Sequence, residues 1–298
     1  MNEVFERFKK FKMCVEGRSQ NTLSMYYDRI KEFCNDLNLS NEEEILGVKA
    51  TDISQWLIKL ANERENGERT RNIKLSTIKE FYRYLREEEE KNVDYKILKM
   101  HFAKIPQKES KYIDSIDKED FLNSIRNPLI KLSVALCIET GMRFSELMQI
   151  TIKGIEDGKQ IVTGKGNKER PIYFKPYVVS MAKDYIKRYR SKIDTDTEIL
   201  LVTKMGKPLT KQGFSQSLKV WGKKFNDDPL TEGRMDWWKE LSPHKLRHSY
   251  ATHEFERGID APTIQRELGH NNLSTTSRYA HSSEARVKRA MLGIEELD

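Results

Sequence analysis

Apolar positions recur at helical spacing through the first hundred residues. In residues 21–37, Leu23, Tyr27, Ile30, Cys34 and Leu37 follow one another at steps of 4, 3, 4 and 3, which is one face of a helix. Ser19, Asn21 or Thr22 could cap its start. Thr51 could cap a second helix that turns Ile53, Trp56, Leu57 and Leu60 inward. A third is predicted from about Thr70 to Glu88, with Ile73, Ile78, Phe81, Tyr82 and Leu85 inward. Four consecutive acids, Glu87 to Glu90, close it as a solvated end.

The pattern then changes. Residues 92–115 lack periodicity and contain Pro106, so a linker is placed at 101–113 between a first domain (1–100) and a second (114–298). The second opens with a helix over KEDFLNSI, for which Asp117 can serve as cap. Another helix follows that starts at Pro128 and stops at Gly141. Two β-prone runs flank GKGN in QIVTGKGNKERPIYF, predicting a hairpin. Helices are expected around Tyr177–Tyr189, Lys211–Lys223 and Pro243–Arg257, with a short strand at Leu200–Thr203. The fold class is therefore mainly α with a small β-hairpin, a helical domain followed by a mixed α+β one.

Composition narrows the function classes. A chain of 298 residues with 37% hydrophobic and 33% charged residues can bury a core and is not a disordered polymer. Of the net charge of +7, residues 1–110 contribute +1 and the remainder +6, so a polyanion partner is expected chiefly for the second part. Cys14, Cys34 and Cys137 lie far apart with no metal spacing, which suits reduced thiols in the cytoplasm. No apolar run approaches the ~18 residues of a membrane span, and the N-terminal MNEVFERFKKF has no signal-peptide core.

Four separated segments carry the candidate chemistry: TGMRFSEL (140–147), GKGNKERP (164–171), SPHKLRHSYATH (242–253) and LGHNNLSTTSRYAH (268–281). Singly each has a plain reading. An arginine near a helix start is commonly an ion-pair partner, GKGNK is commonly a polar turn and not a Walker loop, and a late tyrosine commonly packs. Together they supply two arginines, a lysine, two histidines and a tyrosine, a metal-free set for phosphoryl transfer. Arg143 and Arg247 would neutralise a phosphodiester and the charge that develops on its oxygens. His244, three residues before Arg247 and on the same helical face, could donate to that phosphate or take a proton. His270 adds a donor, Lys165 could protonate a leaving oxygen, and Tyr279 would attack. His248 and His253 read as packing or surface residues, Trp237 and Trp238 as core or interface, and His281 receives no role.

These four segments, in this order, resemble the active-site boxes of the tyrosine recombinase (phage integrase, Xer-like) family. The resemblance covers nearly the whole chain. It implies that Arg143, Lys165, His244, Arg247, His270 and Tyr279 are catalytic, that Glu146 supports Arg143, and that neither cofactor nor metal is needed. NTLSMYYDRIKEF and KLSTIKEFYRYL resemble helices of the family's core-binding domain, with Arg29 where an acid is usual and Ile73 at a position usually basic. Candidate DNA contacts are Arg71, Lys74, Lys79, Lys168 and Arg170. The fold implied is a two-domain clamp on double-stranded DNA, with no stretch for a further arm-binding domain. The reaction implied is cleavage and rejoining through a 3′-phosphotyrosine and a Holliday junction, serving integration and excision of a mobile element or Xer-type dimer resolution. The resemblance also implies a homotetramer on two duplexes, monomer or weak dimer when free, with possible accessory DNA-bending or regulatory proteins. The tail, 282–298, spaces Val287, Ala290, Met291 and Ile294 as an amphipathic helix that packs on a neighbour or on its own domain. A DNA-binding module without activity and a type IB topoisomerase are the competing readings; the complete residue set opposes the first, and the short chain the second.

Overall fold

The computed structural model describes residues 2–106, 111–164 and 166–269. The chain forms two compact units, 1–108 and 109–298. The described residues are 61% helix, with one two-stranded antiparallel sheet among them.

The first unit consists of α1 (Asn2–Cys14), α2 (Gln20–Asp36), α3 (Glu42–Gly47), α4 (Ala50–Asn62), α5 (Glu68–Glu87) and α6 (Lys96–Lys99). Its core is aromatic: Phe8, Phe33, Trp56, Phe81 and Tyr82 are all buried, with Phe8 edge-on to Phe81 at 5.3 Å between centroids. Buried polar tips find partners, as burial requires. Tyr82 Oη donates to the Ile45 carbonyl (2.8 Å) and Trp56 Nε1 to Asp36 Oδ2 (2.8 Å). Ser19 caps α2, accepting from the Thr22 amide.

Several local expectations change. α4 starts at Ala50, so Thr51 lies inside it; Asp52 caps it by accepting from the Lys49 amide at 2.8 Å. Ile73 is 44% exposed, because the inward face of α5 runs through Leu75, Ile78, Phe81, Tyr82 and Leu85. Glu89 leaves the solvated end to accept from Arg7 and Tyr84. α1 and α3 were not anticipated, although Val4, Phe5, Phe8 and Phe11 carry a helical period. Val93 and Ile97, in a stretch without clear periodicity, are buried in the core of this unit.

The second unit contains α7 (Ser115–Ser124), α8 (Pro128–Thr140), α9 (Phe144–Leu147), α10 (Ile152–Glu156), strands β1 (Lys159–Thr163) and β2 (Glu169–Tyr173), then α11 (Pro176–Arg188), α12 (Lys211–Asn226), α13 (Pro243–Glu256) and α14 (Ala261–Leu268). α8 is its axis. Every residue from Leu132 to Thr140 is buried, so the helix is covered on all sides, and α7, α11, α12 and α13 pack against it. Asn127 caps it and Pro128 opens it. Asp114, not Asp117, caps α7; Asp117 instead receives Arg234. The hairpin pairs Val162 with Arg170 and Thr163 with Glu169, and the period of two buries Val162 and Ile172 while Ile161 and Tyr173 face outward. Leu200–Thr203 makes only isolated bridges, Ile199 with Thr151 and Val202 with Pro208.

Candidate active site

The site begins where α8 stops. Gly141 ends the helix in the left-handed region (φ 60°), and a Cβ there would lie 2.4 Å from Tyr250 Cδ1 and 2.5 Å from Leu268 Cδ2. Only glycine meets both demands. Two residues on, Arg143 is the N-cap of α9. Its amide donates to Glu146 Oε2 (2.8 Å) and its Nη1 to Glu146 Oε1 (2.8 Å), so one carboxylate holds both backbone and side chain of the arginine. Arg143 Nη2 reaches the Gly269 carbonyl at 2.8 Å.

Arg247 arrives from the middle of α13. It is buried, donating from Nη1 to the Gly141 carbonyl (2.8 Å) and from Nη2 to the Leu268 carbonyl. Arg170, on β2, donates to Glu146 Oε2 (2.7 Å) and to the Glu267 carbonyl. Three arginines from three elements thus bind three successive carbonyls, 267, 268 and 269, where α14 ends in the left-handed Gly269. Unsatisfied carbonyls at a helix C-terminus favour cations.

Glu146 is fully buried. Burial alone would raise its pKa, but the bonds from Arg170 and from the Arg143 amide and guanidinium hold it below the usual carboxylate value. It is therefore an anion inside the protein, compensated by two guanidiniums. The hairpin tip leans on this pair. A Cβ at Gly164 would sit 3.1 Å from Glu146 Oε1 and 3.7 Å from Arg143 Nη1. Gln149 fixes the strand just before it, donating to the Thr163 carbonyl (2.9 Å) and accepting from the Thr163 amide (2.8 Å).

His244 stands exposed in the first turn of α13, one turn before Arg247. Deeper in the same helix His248 and His253 are buried, as packing residues should be. His248 stacks on Tyr112, and His253 Nε2 lies 2.8 Å from the Ile113 carbonyl. Burial lowers the His253 pKa. Trp237 and Trp238 pack against the core of the unit. Lys165, His270 and Tyr279 lie outside the described residues, as do His281, the tail 282–298 and linker residues 107–110.

The candidate DNA contacts have the following surroundings. Lys74 pairs with Glu32 (2.7 Å) and Lys79 donates to the Met100 carbonyl (2.8 Å). Arg71 approaches Glu68 at 3.7 Å, and Lys168 is exposed on the hairpin. Arg170 is turned inward to Glu146. Neither the carbonyl series at 267–269 nor the Gln149 clasp carries a sequence signal. Arg170 could have been suspected, since the hairpin period puts it on the same face as Val162 and Ile172.

This arrangement matches a known family. The model of the phage integrase family covers residues 105–286, a range that runs through all four boxes, and that of its N-terminal SAM-like domain covers residues 5–89. The chain belongs to the phage integrase family of tyrosine recombinases. Its relatives include the tyrosine recombinases XerD of Staphylococcus haemolyticus, 30% identical over 97% of both chains, and of Staphylococcus saprophyticus, 31% identical over 97% of both. Among solved structures, the Tn1549 transposon integrase in complex with transposon right-end DNA superposes with a TM-score of 0.73 at 19% identity, over 98% of both chains. XerH bound to a palindromic difH substrate gives 0.71 at 20% identity, over 96% of this chain and 83% of that one. Like other tyrosine recombinases, this enzyme cleaves and rejoins DNA in site-specific recombination.

Proposed function

We propose that Arg143 and Arg247 bind the scissile phosphate and that Tyr279 attacks it. The observation that carries this is the meeting of the two guanidiniums. They lie 104 residues apart in sequence, yet donate to the adjacent carbonyls of Gly269 and Leu268, at the point from which the chain runs on to His270. A phosphate set against them would meet two fixed, permanently charged forks. His244, exposed one turn before Arg247, donates to the same phosphate or takes the tyrosine's proton, and His270 supplies another hydrogen bond. Gly164 rests on the Arg143–Glu146 pair, and Lys165, the next residue in the sequence, serves as acid for the leaving 5′-oxygen.

The tyrosine then holds the 3′ end as a phosphotyrosine. A 5′-hydroxyl from a partner duplex attacks that linkage, and bond energy is conserved without a nucleotide or a metal. The substrates are double-stranded recombination sites, acted on in the cytoplasm by four copies of the chain on two duplexes, passing through a Holliday junction, with accessory proteins as modulators.

A nicked suicide duplex tests the chemistry. Its site would be selected by the protein from a random-sequence pool. In EDTA, wild type should give an SDS-resistant adduct and Tyr279→Phe none. Wild-type adduct yield in Tyr279→Phe would remove that tyrosine as nucleophile.

A further inference from the structure

Arg170 is a basic residue on a hairpin of a DNA-cutting enzyme, and its charge alone would suggest a phosphate contact. Its surroundings give it another task. Nη2 is on Glu146, Nη1 is on the Glu267 carbonyl, and Nε is buried with no partner among the described residues. The side chain is only 15% exposed. All three of its guanidinium nitrogens face the protein; the Nη atoms of Arg143 and Arg247 also donate to protein groups, so what sets Arg170 apart is its place on β2 and its hold on the carboxylate that aims Arg143.

What it grips is shared. Glu146 holds Arg143 through Oε1 and, at the amide, through Oε2; Oε2 is also the atom that Arg170 binds. The Glu267 carbonyl is the first of three whose second and third members hold Arg247 and Arg143. One side chain therefore ties the hairpin strand to the carboxylate that aims one arginine and to the backbone turn that meets both.

We propose that Arg170 is a positioning residue for strand cleavage: it fixes Glu146 and the 267–269 turn, and through them the Arg143 guanidinium. This rests on the assignment of Arg143 to the phosphate. Loss of Arg170 would leave Glu146 with Arg143 as its only cation among the described residues, the Cys137 thiol being the other titratable group that senses it. Burial would then drive the carboxyl toward its neutral form, and Arg143 would lose its anchor.

The test compares Arg170→Gln, Arg170→Lys and Arg143→Gln on the suicide duplex, at saturating protein and across pH, beside DNA affinity against salt. Arg170→Gln should bind DNA with wild-type affinity and salt slope, yet form adduct on the order of 100-fold more slowly, the scale of a small misplacement at a reacting centre. Its rate should recover as pH rises and Glu146 ionises again, while wild type shows no such step. Arg170→Lys keeps the charge and one donor for Glu146, and should fall between the two; it also serves if the glutamine variant fails to fold. Wild-type cleavage in both variants, or weaker binding with a salt slope smaller by about 1 and normal cleavage when saturated, would overturn the proposal and make Arg170 a phosphate contact. Arg143→Gln separates the two levels. Loss of cleavage there with wild-type cleavage in Arg170→Gln sinks the positioning role alone, whereas wild-type cleavage in Arg143→Gln sinks the assignment on which it rests.

Discussion

At the scale of the residue, a single buried carboxylate, Glu146, holds both Arg143 and Arg170. It is a charge inside the protein, and such a charge persists only when paired and hydrogen-bonded. Replacing it with glutamine keeps the shape but leaves Arg143 and Arg170 without a counter-charge; adduct formation should fall steeply in Glu146→Gln while DNA binding survives, checked by single-turnover cleavage against gel shift. Acid should act on two other groups. Burial opposes ionisation of Glu139, yet Lys118, Lys175 and Tyr177 hold its carboxyl down at about 2. With a folded value below its ordinary 4.5, its contribution to stability is full above about 4.5 and is lost as pH falls toward 2. His253 is held below its ordinary 6.5 by burial, so protonation favours the unfolded chain as pH drops through that value. Urea midpoints should therefore decline as pH falls below about 6.5, the first part of the decline vanishing in His253→Gln. A midpoint flat from pH 7 to 5 would contradict this.

Elements decide where those residues can stand. α8 ends at Gly141 because its next residue must turn left-handed between Tyr250 and Leu268, and the freed carbonyl goes to Arg247. Gly141→Ala would pay the left-handed penalty of about 1–2 kcal/mol and displace one of those two side chains. Thermal unfolding should show a loss at least that large, and cleavage should fall with it because Arg247 loses its seat. The hairpin is held differently, by the Gln149 amide, which pairs with both backbone groups of Thr163 as another strand would. Gln149→Ala removes these two hydrogen bonds and a third, from Nε2 to the Ser145 carbonyl, of about 1 kcal/mol each. Faster hydrogen exchange at Thr163, with little change in the exchange of α8, is the expected result.

At the scale of the whole molecule, the described residues form an aromatic core in the first unit, a core built around α8 in the second, and a smaller cluster of Tyr250, Ala251, Ile264 and Leu268. Assembly belongs to this scale. The tail, with Val287, Ala290, Met291 and Ile294 at helical spacing, is proposed to link copies of the chain. Removal of the residues after Ser283 should leave binding to one site intact and weaken cooperative binding to two. Equal cooperativity with and without the tail, in gel shifts on a two-site duplex, would assign it to its own domain instead.

Sequence periodicity alone was enough for α2, α4, α5, α8, α11, α12, α13 and the hairpin, because amphipathic spacing and Pro–Gly punctuation are local properties. Caps were less legible. Asp52 and Asp114 displaced Thr51 and Asp117, since several polar residues near a helix start compete and the packing of the ends chooses between them. α14 and α1 escaped notice, the first because only Ile264 and Leu268 are buried in it. The four boxes and their residue types could be read in order, and with them the family and its chemistry. Which partner each arginine holds could not. Arg143, Arg170 and Arg247 come from segments far apart in the chain, and their meeting at the carbonyls of 267–269 depends on how α8, α13, α14 and the hairpin pack. A charged side chain looks the same in sequence whether it faces DNA or a buried carboxylate. Only the tertiary structure turned Arg170 inward, because burying Glu146 demands a second cation and β2 is the strand that brings one within reach.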